Sequence, residues 1–414
     1  MFGSIVAMIS ASLIPSVLLV GIAPMARKPR PPLATGQLQG FKYFTLLGPL
    51  LERLRPVGTA RDRAGNRDFF FDQYVSLLLL YFFSPALTSL RGLQQATGLD
   101  TVQKLLGCRR VALGSLSDAS RVFDPEPLHA VIAELAQRVA PAPLPRDRES
   151  LRHLTAVDGS LLPALPRMAW ALWRDDRHRA AKLHLHFEVA RAIPVAATLT
   201  PGNTGEVTQL RGQLRPGRLY VLDRGYAAYR LLRDILDARS SFVVRLHDDA
   251  AFTVAQERPL SAAARAAGVV RDVVIARLGT DHHKDEVGRP LRIVVVATGK
   301  ANPGGRPDAL VLGTDQMDLA ADLVALAYRF RWSVELFFRW LKCILGCRHL
   351  LGESLSGVTI QVDVALIASL LVTLWTGRKP TKRTFEMFCL YFTGWASAEE
   401  LQRHIEQLPQ QDSS

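Results

Sequence analysis

The spacing of the apolar residues changes at a segment with three prolines, residues 141–148. Before it, from Leu46 to about Arg138, apolar residues recur every three or four positions, which is typical of helices. After it, Leu154–Asp158 and Leu219–Asp223 are short apolar runs that each close on an aspartate, as buried strands leading into a polar site do. The sequence therefore predicts a helical segment followed by an α/β fold whose strands end on carboxylates.

The region after Asp158 contains further strand and helix signals in the order β-β-β-α-β-α-β. The second and third strands are joined by a short connection and predict a hairpin. Between residues 251 and 313, glycine and proline separate more strand candidates, which we interpret as a β-rich insertion. The remaining predicted strands are 183–190, 193–199, 241–246, 273–278, 291–297 and 309–312, and the predicted helices are 206–214 and 227–238.

A helical pattern without proline or glycine runs from Asp318 to Leu345. It contains Tyr328, Arg331, Glu335 and Lys342, and at about 100° per residue their spacing places all four within about 60° of one another. One face then carries a carboxylate flanked by two cations, which suits a site that handles phosphate. The alternative is a solvated polar stripe with an Arg–Glu pair, but the rest of the helix is mostly apolar, which favours burial.

Asp158, Asp223 and Glu335 form the candidate catalytic and metal-binding set. Phosphodiester cleavage needs an activated hydroxyl and a stabilised leaving oxygen, and two Mg²⁺ ions about 4 Å apart can supply both. Such hard cations prefer the oxygen ligands that carboxylates offer. Each aspartate alone is a weak signal, because Asp-Gly and Asp-Arg-Gly also suit ordinary turns after strands. Their combination with the helix pattern predicts a site for two Mg²⁺ or Mn²⁺ ions.

The chain is basic, with 51 Lys and Arg against 38 Asp and Glu and a net charge of +13. This excess favours a polyanionic partner, either nucleic acid or an anionic membrane surface. Four cysteines in 414 residues do not suggest a disulfide framework and fit a reducing cytoplasm. The apolar runs Tyr74–Leu87 and Val358–Leu374 are short or interrupted by Asp363, so we expect buried helices rather than membrane spans.

Residues 1–26 are uncharged and largely apolar, with Pro15 in the middle and the first basic residue at Arg27. A secretory signal has its positive charge before the apolar stretch, whereas here the charge follows it. We interpret this leader as the result of a start codon placed too early, with Met25 as a candidate start. A membrane anchor is the alternative.

The sequence resembles the DDE transposases of bacterial insertion sequences, specifically the IS-four group. The resemblance is carried by Val157–Ser160, by Leu222–Tyr226 and by the four-residue helix signature, which matches at every position and spacing. It extends upstream to Ser115–Ala119 and downstream to the apolar helix from Val358, and so covers most of residues 85–376.

The resemblance implies an α/β fold: a ribonuclease H-like core, with a mixed five-stranded sheet and helices, interrupted by a β-rich insertion and preceded by a helical N-terminal domain. It implies a transposase that cuts at the ends of an insertion sequence and joins the 3′-hydroxyl to target DNA. The expected partners are double-stranded DNA, with terminal inverted repeats and target DNA, and a second copy of the chain in a synaptic homodimer. The expected location is the cytoplasm, associated with the nucleoid. By the same resemblance the metal ligands are Asp158, Asp223 and Glu335, and the DNA-binding residues are Tyr328, Arg331 and Lys342, with which we group Arg224.

The expected division has six segments, of which the second is a helical DNA-binding domain. Within it, Leu90–Leu106 predicts two short helices around a glycine turn, either a helix-turn-helix or a packed hairpin. The segments are the leader 1–26, the DNA-binding domain 27–148, the first part of the core 149–250, the insertion 251–315, the second part of the core 316–377 and the tail 378–414.

Two alternatives stay open at this point. One is a catalytically retired transposase that only binds DNA, and the other is a ribonuclease H-like nuclease without strand transfer. Some members of the resembled group use a tryptophan in the insertion to support a flipped base, and residues 251–313 contain none. Base stacking would then fall to Phe252 or to an aromatic residue elsewhere.

Overall fold

The computed structural model describes residues 47–57, 67–100, 102–103, 109–141, 145–164, 167–175, 178–279, 287–301, 307–347 and 349–408. The chain forms two compact units, one of residues 141–338 and one that combines residues 1–140 with 339–414. We call them the sheet unit and the helical unit. The leader 1–26, with the candidate start at Met25, lies outside the described residues, and so does half of the second helix proposed within Leu90–Leu106.

The helices and strands are numbered in chain order. The helices are α1 (Leu47–Glu52), α2 (Phe71–Phe83), α3 (Leu90–Ala96), α4 (Leu113–Val122), α5 (Glu126–Arg138), α6 (Glu206–Arg211), α7 (Tyr229–Asp237), α8 (Ala262–Ala266), α9 (Ala321–Arg329), α10 (Trp332–Arg339), α11 (Leu355–Thr376), α12 (Lys382–Phe392) and α13 (Ala398–Glu406). The strands are β1 (Leu154–Pro163), β2 (Ala180–Glu188), β3 (Ile193–Pro201), β4 (Leu219–Leu222), β5 (Ser241–Arg245), β6 (Phe252–Glu257), β7 (Val269–Leu278), β8 (Leu291–Ala301) and β9 (Pro307–Thr314).

The sheet unit is built on one mixed sheet of nine strands in the order β3-β2-β1-β4-β5-β9-β8-β7-β6. The predicted hairpin is confirmed, because β2 and β3 pair antiparallel from Ala181 opposite Pro201 to Glu188 opposite Ile193. Strands β1, β4 and β5 are parallel neighbours, as crossover connections through helices require. The mixed α/β class expected from the sequence is therefore present.

The sheet does not stop after five strands, because the strands of the β-rich insertion continue it. Strand β9 pairs antiparallel with β5, with Val243 opposite Thr314, and β8, β7 and β6 follow outward. A sheet that ended at β5 would leave a row of unpaired N–H and C=O groups along that edge. The inserted residues cover this edge and continue the same sheet. Strand β6 was not among the predicted strands.

The core of the sheet unit lies between the sheet and α7. Helix α7 places Leu231, Leu232 and Ile235 on its buried side, and these pack with Tyr220 and Phe242 of the adjacent parallel strands. The same helix carries arginines and aspartates on its other side, so its sequence has the apolar stripe of a helix that covers a sheet. Helix α9 contacts β5, β7 and β8. It therefore covers a strand that precedes the insertion as well as two strands of the insertion.

The helical unit is organised around α11, whose neighbours include α2, α4 and α5. Among the described residues, α11 is the one helix long and apolar enough to span a membrane, and 94% of its most apolar stretch is buried. This confirms the expectation that Val358–Leu374 is a buried helix. Helix α2 is buried in the same way, from Phe71 to Phe83. The charged groups within these helices, Asp72 and Asp363, are 0% and 2% exposed.

Candidate active site

Asp158 lies inside β1 rather than at its end, so the expectation that the strand closes on this aspartate is wrong. The parallel pairing of β1 with β4 runs from Leu154 to Ala156, whereas the antiparallel pairing with β2 continues to Pro163. Because β2 still satisfies the backbone beyond the end of β4, the strand persists past the carboxylate. Asp158 therefore lies two residues beyond the last parallel pair, at the open end of β4.

Asp223 directly follows β4, as predicted, and caps the short 3₁₀ turn that comes next. Its Oδ1 accepts hydrogen bonds from the backbone N–H of Arg224 at 2.8 Å and from the hydroxyl of Tyr328 at 3.1 Å. Burial acts to raise the pKa of this carboxyl, but the Arg224 N–H, the charge of Arg331 and the Tyr328 hydroxyl together lower it. Asp223 is thus held as a carboxylate.

Arg331 connects the other two predicted carboxylates. Its guanidinium lies 2.7 Å from Glu335 Oε1 and 3.9 Å from Asp158 Oδ2. The Arg331 side chain is 7% exposed, against 22% for Asp158 and 34% for Glu335. A buried guanidinium needs such partners, since an unpaired charge in this position would be costly. The structure therefore gathers Asp158, Glu335, Arg331 and, through Tyr328, Asp223 in one place.

The helix that carries these residues is not continuous, which corrects the expectation of one helix over Asp318–Leu345. Helix α9 ends at Arg329 and α10 begins at Trp332, and the junction has i to i+3 hydrogen bonds from Arg331 N to Tyr328 O and from Ser333 N to Phe330 O. Such bonds tighten the backbone to 3₁₀ geometry. The ideal helical angles therefore do not apply across the junction.

Lys342, the fourth residue of the helix signature, lies in a π-helical segment, Trp340–Ile344. This segment follows α10 and belongs to the helical unit, whereas Tyr328, Arg331 and Glu335 belong to the sheet unit. Lys342 is half-buried there. The structure thus groups three of the four signature residues within one unit.

Burial dominates the electrostatics of Asp158 and raises its pKa to about 6. The Gly159 N–H, which donates to Asp158 Oδ1 at 2.8 Å, and Arg331 oppose this rise. The charges of Glu206 and Glu335 add to it. Tyr328, which is also buried and faces Asp223, has its pKa raised to about 12 and stays a hydrogen-bond donor at neutral pH. Asp158 therefore lies near enough to Glu206 and Glu335 for their negative charges to raise its pKa.

Glu206 is a residue of this region to which the sequence reasoning assigned no role. It is the first residue of α6, and a β-carbon at Gly159 would lie 2.7 Å from its Oε1. Lys182 of β2 lies 3.4 Å from the same oxygen. The sequence pattern predicts the start of a helix at Glu206, but nothing local indicates that this glutamate lies against the strand that carries Asp158.

Arg224 lies beside Asp223 and is exposed, with its guanidinium 3.9 Å from Asp248. Arg245, at the end of β5, approaches the same aspartate to 3.6 Å. These are long, solvent-exposed ion pairs of the kind that stabilise little. Two arginines, Arg224 and Arg245, therefore lie on the Asp223 side of the site, and both approach Asp248.

An exposed aromatic residue, Trp332, also adjoins the site. Its side chain is 58% exposed, and the Arg331 guanidinium carbon lies 5.4 Å from the centre of its ring. Phe252, the residue considered for base stacking from the sequence, is half-buried and packs against the core of the sheet unit. Trp332 is the more accessible of the two, and its position next to Arg331 in sequence was a signal that could have indicated it.

The donor chemistry of the site fits divalent cations, because carboxylate oxygens are the ligands that such cations prefer. In the described part of the chain, no three acidic, histidine or cysteine side chains converge into a ready-made metal centre. The buried guanidinium of Arg331 neutralises part of the negative charge instead. Asp158, Asp223 and Glu335 stay the residues that the sequence predicts to hold a metal ion.

The chain is similar to a transposase family and to two proteins named as transposases. A family model described as "Transposase DDE domain" matches residues 149–371. The chain is 27% identical over 228 residues to the protein y4zB of Sinorhizobium fredii, which is named as a transposase, covering 55% of this chain and 62% of that protein. It is 26% identical over 241 residues to a Geobacillus stearothermophilus protein named as the transposase of insertion sequence element IS5377, covering 57% of this chain and 61% of that protein.

The matched region thus spans less than two thirds of the length of these two curated relatives. Among solved structures, the cryo-EM structure of the piggyBac transposase synaptic complex with hairpin DNA is similar at 11% identity and a TM-score of 0.43. That match covers 90% of this chain and 82% of the other.

Proposed function

Because the chain belongs to the transposase DDE domain family, we propose that it is a metal-dependent transposase of the IS-four type. It cuts DNA at the ends of an insertion sequence and joins the freed 3′-hydroxyl to target DNA. Asp158, Asp223 and Glu335 act as the catalytic carboxylates. The core that carries them, β1 to β5 with α9 and α10, is of the ribonuclease H type.

The observation that carries this proposal is the contact of one buried guanidinium with two of the three carboxylates. Arg331 lies 2.7 Å from Glu335 and 3.9 Å from Asp158, although Asp158 and Glu335 are separated by most of the sheet unit in sequence. The third carboxylate, Asp223, accepts a 3.1 Å hydrogen bond from the Tyr328 hydroxyl. The ring of Tyr328 in turn lies 5.9 Å from the guanidinium carbon of Arg331. Two of the predicted carboxylates beside one buried guanidinium, together with the raised pKa of Asp158, favour a functional site.

Two bound Mg²⁺ or Mn²⁺ ions would lower the charge on the attacking and leaving oxygens of the phosphodiester. The chain itself orients the ligands. Tyr328 and the Arg224 N–H fix the rotamer of Asp223, and the Gly159 N–H fixes that of Asp158. Fixed ligands matter because a small displacement of reacting groups lowers the rate steeply.

The positive side chains near the carboxylates supply the contacts to DNA. Arg224 is exposed and can approach a phosphate as a fork of N–H donors. We assign the holding of the strand end to Arg331 and Tyr328, which are buried beside the carboxylates. Lys342, which lies in the helical unit, is assigned to the same role only by its place in the helix signature. The proposed partners are the terminal inverted repeats, target DNA and a second copy of the chain in a homodimer. The overall charge of +13 suits such a polyanionic substrate.

The test uses a DNA duplex that carries the inverted repeat bracketing the gene. Glu335→Gln should abolish Mg²⁺-dependent cleavage while DNA-end binding persists, because the amide still accepts a hydrogen bond from Arg331 but is a poor ligand for a cation. The matched control is Glu257→Gln, an exposed glutamate on β6 that should leave cleavage unchanged. Cleavage retained by Glu335→Gln would refute the assignment of this residue.

The two alternatives have separate readouts in the same assay. Binding of the DNA end by the wild-type chain without Mg²⁺-stimulated cutting would favour a retired transposase that only binds DNA. Supplying a pre-cut 3′ end together with plasmid target tests strand joining directly. Cleavage without joined products would favour a plain nuclease, whereas joined products support the transposase.

A further inference from the structure

Glu206 is brought to the strand that carries Asp158 by the path of the chain through β2 and β3. Helix α6 begins at Glu206 directly after this hairpin. The Glu206 carboxylate lies against Gly159, since a β-carbon there would be 2.7 Å from Oε1, 3.0 Å from Cδ and 3.2 Å from Cγ. Real β-carbons essentially never approach so closely, so the space that Glu206 fills exists because residue 159 has no side chain.

Lys182 holds the Glu206 carboxylate in this position. The Lys182 ammonium lies 3.4 Å from Glu206 Oε1 and donates a hydrogen bond to the backbone carbonyl of Thr204 at 3.1 Å. The Lys182 and Glu206 side chains are 17% and 30% exposed, so the pair is well shielded from solvent. Only one oxygen of Glu206 is engaged by Lys182, which leaves the carboxylate with further acceptor capacity.

A third side chain indicates that Glu206 shares the environment of the catalytic carboxylates. Tyr226, which is 1% exposed, has its pKa raised by burial first and then by the negative charges of Glu206, Asp158 and Asp223. The same phenol thus responds to all three carboxylates. Glu206 therefore adds to the negative charge around this phenol, together with Asp158 and Asp223.

We propose that Glu206 is a fourth carboxylate of the active site, which helps to bind the divalent cation held at Asp158, either directly or through a coordinated water. The inference rests on the proposed function, because it presumes that Asp158 is a metal ligand. Two-metal phosphoryl transfer requires oxygen ligands for both ions, and a fourth carboxylate adds to those that three residues offer. The position of Glu206 also explains why residue 159 is a glycine. The β-carbon of an alanine there would displace the Glu206 carboxylate.

The experiment measures Mn²⁺ binding to the full-length protein without DNA, by isothermal titration calorimetry and by Mn²⁺ electron paramagnetic resonance. Glu206→Gln should weaken Mn²⁺ binding about 10-fold or more, as loss of a supporting carboxylate does at metal sites. Gly159→Ala should weaken binding similarly, because it displaces the Glu206 carboxylate without removing its charge. Glu206→Asp should retain part of the affinity, and the exposed control Glu257→Gln should bind like the wild type.

Asp158→Asn is the reference that separates the two hypotheses, and thermal unfolding in EDTA checks that every variant is folded. If Asp158→Asn loses Mn²⁺ binding and Glu206→Gln does not, Glu206 is only a partner of Lys182 and the present inference is overturned. If Asp158→Asn binds Mn²⁺ like the wild type, the metal assignment of the proposed function fails, and this inference fails with it. Weakened binding by both Glu206→Gln and Gly159→Ala supports the fourth carboxylate.

Discussion

Replacing Asp158 by asparagine should stabilise the metal-free protein at neutral and alkaline pH. Burial raises the pKa of this carboxyl from 3.8 to about 6, so the folded chain carries the charged form at a cost. A difference of roughly two pKa units corresponds to about 3 kcal/mol of unfolding free energy, at about 1.4 kcal/mol per unit. Asparagine has no charge to bury, and its carbonyl oxygen can still accept the Gly159 N–H at 2.8 Å.

The sign of the pH dependence follows from which state binds more protons. Between pH 3.8 and about 6 the folded chain holds a proton on Asp158 that the unfolded chain has released. Stability contributed by this group is therefore present below pH 3.8, falls as the pH rises through this window, and is fully lost above about pH 6. The gain from Asp158→Asn should follow the same course, small near pH 4 and largest at pH 8.

Thermal and urea unfolding in EDTA at pH 5 and at pH 8 would measure the effect. For a unit of this size, about 1 kcal/mol changes Tm by roughly 2–4 °C, so an increase of several degrees is expected at pH 8. Asp249→Asn, an exposed aspartate in the same unit, is the control and should show no such gain. An Asp158→Asn protein that is no more stable than the wild type at pH 8, or whose gain is independent of pH, would refute this reasoning.

Three further predictions follow from contacts in the sheet unit. Asp272→Ala should lower the unfolding free energy by about 3–5 kcal/mol in urea, because Arg292, which is 1% exposed and donates two 2.8 Å hydrogen bonds to Asp272, would keep its buried charge without a carboxylate partner. A loss below about 1 kcal/mol would contradict this. Tyr328→Phe removes the 3.1 Å hydrogen bond to Asp223 and should slow cleavage about 5-fold or more with little change in Tm, and unaltered kcat would argue against an orienting role. Arg224→Ala should weaken DNA binding similarly for all sequences and reduce the salt dependence of log Kd by about one, whereas an unchanged slope would exclude a phosphate contact.

The sequence by itself determined the elements whose signal is local. The β2–β3 hairpin, β4 with Asp223 at its end, and the buried helix α11 depend on alternation, run length and turn residues within a few positions. The spacing of Tyr328, Arg331 and Glu335 is local in the same sense, which is why the residues could be singled out before their partners were known.

The tertiary structure decided every feature whose cause lies far away along the chain. Strand β1 continues past Asp158 because β2 supplies its backbone partners, and the insertion extends the sheet because β9 pairs with β5 across about seventy residues. The break between α9 and α10 occurs where no proline or glycine announces it.

Glu206 shows the same limit within the candidate site. Its carboxylate is 47 residues from Gly159 in the sequence, and only the return of the chain through the hairpin places the two in contact. Patterns in sequence report each residue's neighbours within a turn or a strand, whereas ligand sets and charge balance depend on which distant segments pack together. The sequence therefore predicted three carboxylates, with the cations Arg331 and Lys342 flanking Glu335. Packing alone revealed that Arg331 joins two of the carboxylates and that Glu206 lies beside the strand that carries Asp158.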